Sequence, residues 1–130
     1  MLAEWTLALM ALMICREVPH EHVDVKLAVG QTVLNRADHP AWWGSTPLEV
    51  LTKPMQYSTL TDPHDTQLTR WIVTPECWAA AEAVLSRRYP VIVAGADSFY
   101  ADVIPAPSWA TQDRFVRRLG PLKFYNMDRK

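Results

Sequence analysis

Residues 14–36 read ICREVPHEHVDVKLAVGQTVLNR and contain the junction between two helix-like runs. The first run is apolar and ends at Glu17, and Pro19 follows two residues later. Because proline disfavours helical geometry in the residue before it, the sequence predicts a first helix over residues 2–18. The second run, residues 22–37, carries one wide apolar stripe at helical spacing and predicts a second helix.

Gly30 lies inside the second predicted helix, where glycine is less favourable than alanine. A glycine in such a position indicates that another element packs closely against the helix. We therefore expect the second helix to contact a neighbour at Gly30.

The rest of the chain predicts two more helices and several short extended pieces. Thr-Pro pairs start helices over residues 46–52 and 74–88. The weaker predictions are an extended piece at 56–58, a β-like stretch at 89–103, a short helix at 111–116 and an extended segment at 122–126. Helices dominate, so the expected fold is α+β, mainly α, with a small β patch in one domain spanning residues 1–130.

Composition excludes a strongly electrostatic mode of binding. The chain has 130 residues, 49% of them hydrophobic, and a formal net charge of −1. That balance fits a globular domain and gives no field that would attract nucleic acid or an anionic membrane. Six tryptophans are many for this length. Each of them either lines a sugar or peptide cleft or belongs to the core.

The apolar run at residues 5–15 resembles neither a signal peptide nor a membrane span. It lacks a basic start and a small-residue cleavage site, and it is too short to cross a bilayer. We therefore expect no export signal and no membrane insertion.

Two cysteines, Cys15 and Cys77, lie on different apolar segments. Neither has a neighbouring cysteine or a metal-ligand spacing, so the sequence favours two buried free thiols and leaves a disulfide open. Cys77 lies in the first turn of a predicted helix, where a thiol pKa is lowered, and is the better of two weak candidates for a nucleophile.

His20, His22 and Asp24 form a short cluster that could bind a metal. Alternating residues at a helix start point in different directions, and no distant third ligand stands out. A solvated helix start is the favoured interpretation, and we expect neither a metal nor another cofactor.

Glu17 is an unusual residue for the end of an apolar helix. The negative end of the helix dipole disfavours a carboxylate, and partial burial would act in the same direction. Both effects would raise the pKa of Glu17. A carboxyl that stays protonated near neutral pH is suited to act as the general acid in glycoside cleavage.

Several motifs occur in an order that resembles the SleB-like cell-wall hydrolases. Glu17 and Glu21 match a Glu-x-x-x-Glu box, and VLNR closes the following helix. Further matches are Gln56-Tyr57-Ser58 for Gln-Phe-Ser, the Ala-rich helix at 75–88, GADSFY at 95–100, Trp109, and the Gly-x-x-x-Phe-Tyr close at 120–125. The chain departs from the family in the middle of the box, which reads EVPHE, and at Leu122-Lys123, where the family has a histidine before Phe-Tyr.

The resemblance implies a lysozyme-like or transglycosylase-like fold that cuts peptidoglycan strands between MurNAc and GlcNAc. A lytic transglycosylase needs one catalytic carboxyl and releases 1,6-anhydro-MurNAc; Glu17 is the expected catalyst. Glu21 is expected to orient the substrate or support the site. The residues expected to line the cleft are Gln56, Tyr57, Ser58 and Tyr100.

Two alternatives remain open within this resemblance. A hydrolytic muramidase would need a second carboxylate about 5–10 Å away, for which Asp62 and Asp65 are loop candidates. A catalytically dead wall-binding module would need none. We expect a monomer that binds peptidoglycan and no nucleic acid, made in a host cytoplasm as a phage or prophage endolysin. It would reach the wall through a holin or as part of a virion.

Overall fold

Four helices and three strands form the described part of the chain, residues 2–53, 57 and 73–127 of a computed structural model. The elements are α1 (Leu2–Glu17), α2 (Val23–Asp38), α3 (Pro47–Thr52), α4 (Pro75–Leu85), β1 (Ser98–Ala101), β2 (Phe115–Leu119) and β3 (Leu122–Tyr125). This arrangement confirms the α+β, mainly α, fold class. Within these ranges, no helix combines the length and the apolar character needed to cross a membrane.

Three of the helices begin at side-chain caps. The oxygen of Thr46 accepts from the backbone N–H of Glu49 at 3.2 Å, and the oxygen of Thr74 accepts from that of Cys77 at 3.3 Å. His22 caps α2 in the same way through Nδ1. Each cap satisfies a backbone donor that the helix leaves unpaired, so the predicted helix starts agree with the structure to within one residue.

The helices pack around one close contact at Gly30. Helix α1 packs mainly on α4, α2 also packs on α4, and α3 contacts both α1 and α2. A Cβ atom at Gly30 would lie 2.9 Å from Val84 of α4 and 3.3 Å from Ile14 of α1. The predicted close approach at Gly30 is therefore confirmed.

A disulfide joins Cys15 of α1 to Cys77 of α4. The two Cα atoms are 5.6 Å apart, a normal separation for a disulfide. The favoured interpretation of two free thiols was therefore wrong. The packing of α1 on α4 brings together cysteines that are 62 residues apart, a proximity that their sequence spacing does not reveal.

The three strands form an antiparallel sheet in the order β1-β3-β2. The predicted extended segment at 122–126 is confirmed as β3, whose Phe124 is fully buried. The short helix predicted at 111–116 is a 3₁₀ turn, Gln112–Arg114, followed by β2, which the sequence did not predict. Exposed Arg117 and Arg118 on β2 weaken the strand pattern, although charged residues are common on edge strands.

The β-like stretch at 89–103 is a strand only over Ser98–Ala101. Side chains of α2 bind much of the backbone before it. Gln31 accepts from the N–H groups of Ile92 and Val93 and donates to the carbonyl of Pro90. Asn35 donates to the carbonyls of residues 93 and 96. These backbone groups are satisfied without strand pairing.

The disulfide is expected to contribute substantially to stability because it closes a 62-residue loop. Replacing both Cys15 and Cys77 with alanine should lower the free energy of unfolding by about 2–4 kcal/mol. Urea unfolding with and without a thiol reductant measures this effect. Reductant should destabilise the wild type and leave the double variant unchanged; a wild type indifferent to reductant would contradict the disulfide.

Candidate active site

A cleft of about 440 Å³ lies at the end of α1. It is bounded by the ends of α1 and α2, the α2–α3 connection, the start of β1 and the β1–β2 connection. The described residues that line it are Glu17, Arg36, Trp42, Tyr57, Ser98, Phe99, Trp109 and Met127. Aromatic rings with a few charged and polar groups are typical of a ligand-binding cleft.

Glu17 is the last residue of α1 and is half-buried at the cleft. Among the described lining residues it is the one acid. The disulfide fixes the helix two residues before it. Beyond it, the buried Lys26 ammonium donates to the carbonyl of Glu21 at 2.6 Å and to that of Pro19 at 3.4 Å. The backbone is therefore held on both sides of Glu17.

Tyr57 is 2% exposed and contributes a hydroxyl inside the protein near the cleft. Its oxygen lies 2.9 Å from the Thr32 hydroxyl, which itself donates to the carbonyl of Val29 at 2.6 Å. Because Thr32 has one hydroxyl proton and donates it to Val29, Tyr57 must be the donor to Thr32. This chain of hydrogen bonds fixes the direction of the Tyr57 hydroxyl.

The charges around Tyr57 show how closely the site groups are assembled. Burial raises the pKa of Tyr57 above its ordinary value of 10.0. The Arg36 guanidinium opposes that rise in pKa, whereas the carboxyls of Glu17 and Asp97 add to it. Glu17, Arg36 and Asp97 thus all lie within electrostatic reach of one hydroxyl.

Arg36 places a buried cation at the cleft. Its Nε donates to the carbonyl of Asp97 at 2.6 Å, which ties the end of α2 to the start of β1. Its guanidinium carbon lies 4.8 Å from the ring centre of Tyr57 and 5.4 Å from that of Trp43. Hydrogen bonding and the two cation–π contacts offset part of the unfavourable burial of the charge.

The other residues predicted for the site lie in different places. Glu21 is not among the described lining residues, and its carboxyl lies over Gly120 in the β2–β3 turn. Tyr100 is also outside the lining set: its ring contacts those of Trp109 and Tyr125 at 6.1 and 5.7 Å. Tyr100 therefore packs against Trp109, which does line the cleft. Four predicted candidates lie outside the described residues: Gln56, Ser58, Asp62 and Asp65.

The histidine cluster has a structural role at the start of α2. His22 Nδ1 accepts from the backbone N–H of Asp24 at 3.2 Å, so this nitrogen caps the helix. Across residues 2–53, 57 and 73–127, no group of three or more His, Cys, Asp or Glu side chains could hold a metal ion.

Sequence reasoning did not assign Arg36 or Trp42 to the site. Arg36 belongs to the VLNR motif, which served only to recognise the family. Trp42 is one of six tryptophans, and the sequence did not decide which of them belong to the core and which line a cleft. The structure separates two neighbours, because Trp43 is 1% exposed and Trp42 is 58% exposed at the cleft.

Because the pKa of Tyr57 is raised, we expect the wild type to be more stable than Tyr57→Phe at neutral pH and to lose this advantage at alkaline pH. Below pH 10, Tyr57→Phe should lower the free energy of unfolding by about 0.5–1.5 kcal/mol through loss of a hydrogen bond. Above pH 10 the unfolded wild type releases a proton that the folded protein retains, so wild-type stability should fall by up to about 1.4 kcal/mol per pH unit more steeply than that of the variant.

Urea unfolding between pH 7 and 11 tests this prediction. Some slope should remain in Tyr57→Phe, since burial and the neighbouring Tyr100 raise the pKa of Tyr125 as well. Tyr125→Phe is the matched control, because it removes this second contribution and leaves that of Tyr57 in place. Parallel curves for the wild type and Tyr57→Phe up to pH 11 would contradict a raised pKa at Tyr57.

The comparison with known families identifies the chain more closely. Residues 20–125 match the family described as Cell Wall Hydrolase. Glu21 and most of the described cleft residues fall inside the match; Glu17 lies three residues before it and Met127 two residues after it. No curated protein and no solved structure matches the chain significantly. Because the matched region covers well over half of the sequence, the chain belongs to the cell wall hydrolase family.

Proposed function

We propose that the protein cleaves the glycan strand of peptidoglycan as a lytic transglycosylase of the SleB-like type, with Glu17 as the catalytic acid and base. The observation that carries the proposal is the position of Glu17. It ends α1 at a cleft lined by aromatic rings, and it is the one acid among the described lining residues. Family membership supplies the general substrate, the bacterial cell wall.

One carboxyl is sufficient for this reaction. Protonated Glu17 donates its proton to the oxygen that joins C1 of MurNAc to GlcNAc, and the C1–O bond breaks. The resulting Glu17 carboxylate accepts the proton of the C6 hydroxyl of the same MurNAc, whose oxygen bonds to C1. The products are a GlcNAc end and a 1,6-anhydro ring, and Glu17 regains its proton.

Asp97, a nearby acid, is better suited to a structural role. One of its carboxyl oxygens, Oδ1, accepts from the Ser98 hydroxyl at 3.0 Å and from the backbone N–H of Met127 at 2.8 Å. Asp97 is 4% exposed and is not among the described residues lining the cleft. These contacts favour the transglycosylase over a hydrolase that uses Asp97 as its second carboxylate.

The choice of Glu17 over Glu21 rests on location. Both belong to the Glu-x-x-x-Glu box, yet Glu17 lines the cleft and the Glu21 carboxyl lies over the β2–β3 turn. In the proposed scheme Glu21 stabilises the contact between that turn and the α1–α2 connection. It supports the catalytic site without touching the substrate.

The setting we propose is that of a phage or prophage endolysin, or of a virion component, acting on the wall as a monomer. The Cys15–Cys77 disulfide supports action outside the reducing cytoplasm, since disulfides persist mainly in oxidising compartments. A holin would provide the route from the cytoplasm to the wall.

Glu17→Gln should abolish activity without harming the fold. Loss of general acid–base catalysis typically lowers a rate by about 10²–10⁴-fold, and one carboxyl serving both steps places the expected loss at the upper end. Removing an acid from the negative end of α1 should leave the melting temperature unchanged or raise it. Clearing of cell-wall suspensions and thermal unfolding measure the two effects.

Two matched glutamate variants make the test specific. Glu82→Gln changes an exposed residue of α4 and should leave clearing unchanged. Glu21→Gln should lower the melting temperature. Well below that temperature, it should leave most of the clearing rate intact. A Glu17→Gln protein with more than about a tenth of the wild-type rate would exclude Glu17 as the acid, and a collapse in Glu21→Gln alone would assign that role to Glu21.

The chemistry of the products separates the transglycosylase from a muramidase. Digestion of purified sacculi should release muropeptides that end in 1,6-anhydro-MurNAc, one water lighter than hydrolysis products and resistant to borohydride. Mass spectrometry before and after borohydride reduction reads both properties. Products that are all reducible would establish hydrolysis and require a second carboxylate.

A further inference from the structure

Trp42 is an exposed aromatic residue inside the cleft. Its side chain is 58% exposed, and it lines the same cavity as Glu17. A single large apolar residue at a protein surface needs no special explanation, but a tryptophan in a concave site with charged and aromatic neighbours is typical of ligand binding.

The neighbouring residue anchors Trp42. Trp43 is 1% exposed, and its indole N–H lies 2.9 Å from the carbonyl of Arg36 and 3.2 Å from that of His39. Those carbonyls belong to the last turn and C-cap of α2, where acceptors lack partners within the helix. The Trp42 ring centre lies 5.7 Å from that of Trp43, so a fixed ring supports the exposed one.

The turn after the two tryptophans is constrained as well. Ala41 and Gly44 form an isolated antiparallel bridge, which closes the chain around Trp42 and Trp43. Gly44 has a φ of +114°, and a Cβ atom there would lie 2.8 Å from the Cβ of Glu49 in α3. Only glycine fits this position without strain, and the bridge together with this close approach to α3 constrains the turn that presents Trp42.

The rest of the cleft indicates which chemistry Trp42 would meet. Trp109 enters from the β1–β2 connection and is held by edge contacts with Tyr100 and Tyr125 at 6.1 and 5.6 Å. Two indoles from separate connections therefore line one cavity with Glu17 and Arg36. A pyranose ring has an apolar C–H face and a polar hydroxyl rim, which suits an aromatic surface beside a few polar groups.

We propose that Trp42 is a stacking surface for an N-acetylhexosamine ring of the glycan strand and sets the affinity of the cleft for glycan. The assignment rests on the proposed glycan-cleaving function and adds a specificity-determining residue to it. Because the turn is constrained, little conformational entropy is lost when the sugar stacks on Trp42.

Glycan binding by the Glu17→Gln protein tests the proposal without cleavage of the ligand. The ligands are glycan strands stripped of stem peptides by an amidase and matched strands that retain them. Adding Trp42→Ala should weaken binding to both ligands roughly tenfold, the effect expected for losing most of a ring's buried area. Adding Trp42→Phe should restore most of the affinity, and Trp42→Leu should bind more weakly than Trp42→Phe because a branched side chain cannot lie flat against the sugar ring.

Trp5→Ala is the matched control. Trp5 is 64% exposed on α1, about 18 Å along the helix from Glu17. Its replacement should leave binding unchanged, and thermal unfolding verifies that each Trp42 variant is folded at the assay temperature. If Trp42→Ala does not fold, the comparison of phenylalanine with leucine at the same position still decides the role of the ring.

Three outcomes would overturn the assignment. Unchanged affinity in Trp42→Ala would show that Trp42 does not contact the glycan. A loss confined to strands that retain stem peptides would make Trp42 a peptide contact. Leucine binding as well as phenylalanine would remove the stacking argument. Failure of the proposed function gives a different result, because the Glu17→Gln protein would then bind neither ligand or would still cut both.

Discussion

The contact of three helices at Gly30 is the constraint on which the arrangement of the site depends. Helix α2 has no side chain at this point, and Val84 of α4 and Ile14 of α1 occupy the space that a Cβ would need. Protein interiors are too densely packed to absorb an added methyl without movement. The contact therefore fixes the position of α1 relative to α2. Glu17 lies about one helical turn beyond Ile14, so the same packing determines where Glu17 lies.

The second half of α2 connects the helices to the sheet. Gln31 and Asn35 bind the backbone before β1, and Arg36 donates to the carbonyl of Asp97 at 2.6 Å. Asn35 and Arg36 lie four and five residues after Gln31. Together these side chains form the hydrogen bonds that a neighbouring strand would otherwise form with this backbone. The cleft lies between the two parts of the fold that these contacts join, with Glu17 on the helical side and Ser98 on the sheet side.

The predictions from sequence succeeded where local chemistry decides the structure. Thr46 and Thr74 cap their helices through contacts three residues away, and such short-range patterns are visible in a sequence. The disulfide was missed because its two cysteines are distant in sequence, and β2 was missed because its own side chains give no clear strand pattern. Cys15 meets Cys77 through the packing of α1 on α4, and β2 is a strand because it pairs with β3 despite its two exposed arginines.

Trp42 and Trp43 illustrate why the site was only partly predictable. Glu17 could be selected because its position relative to Pro19 and the helix dipole is a local property. The two tryptophans are chemically identical and adjacent, so no local rule separates them. Trp43 is buried because its N–H reaches carbonyls at the end of α2, and the turn closed at Gly44 leaves its neighbour exposed at the cleft. The core contact of one ring thereby determines where the other ring is presented.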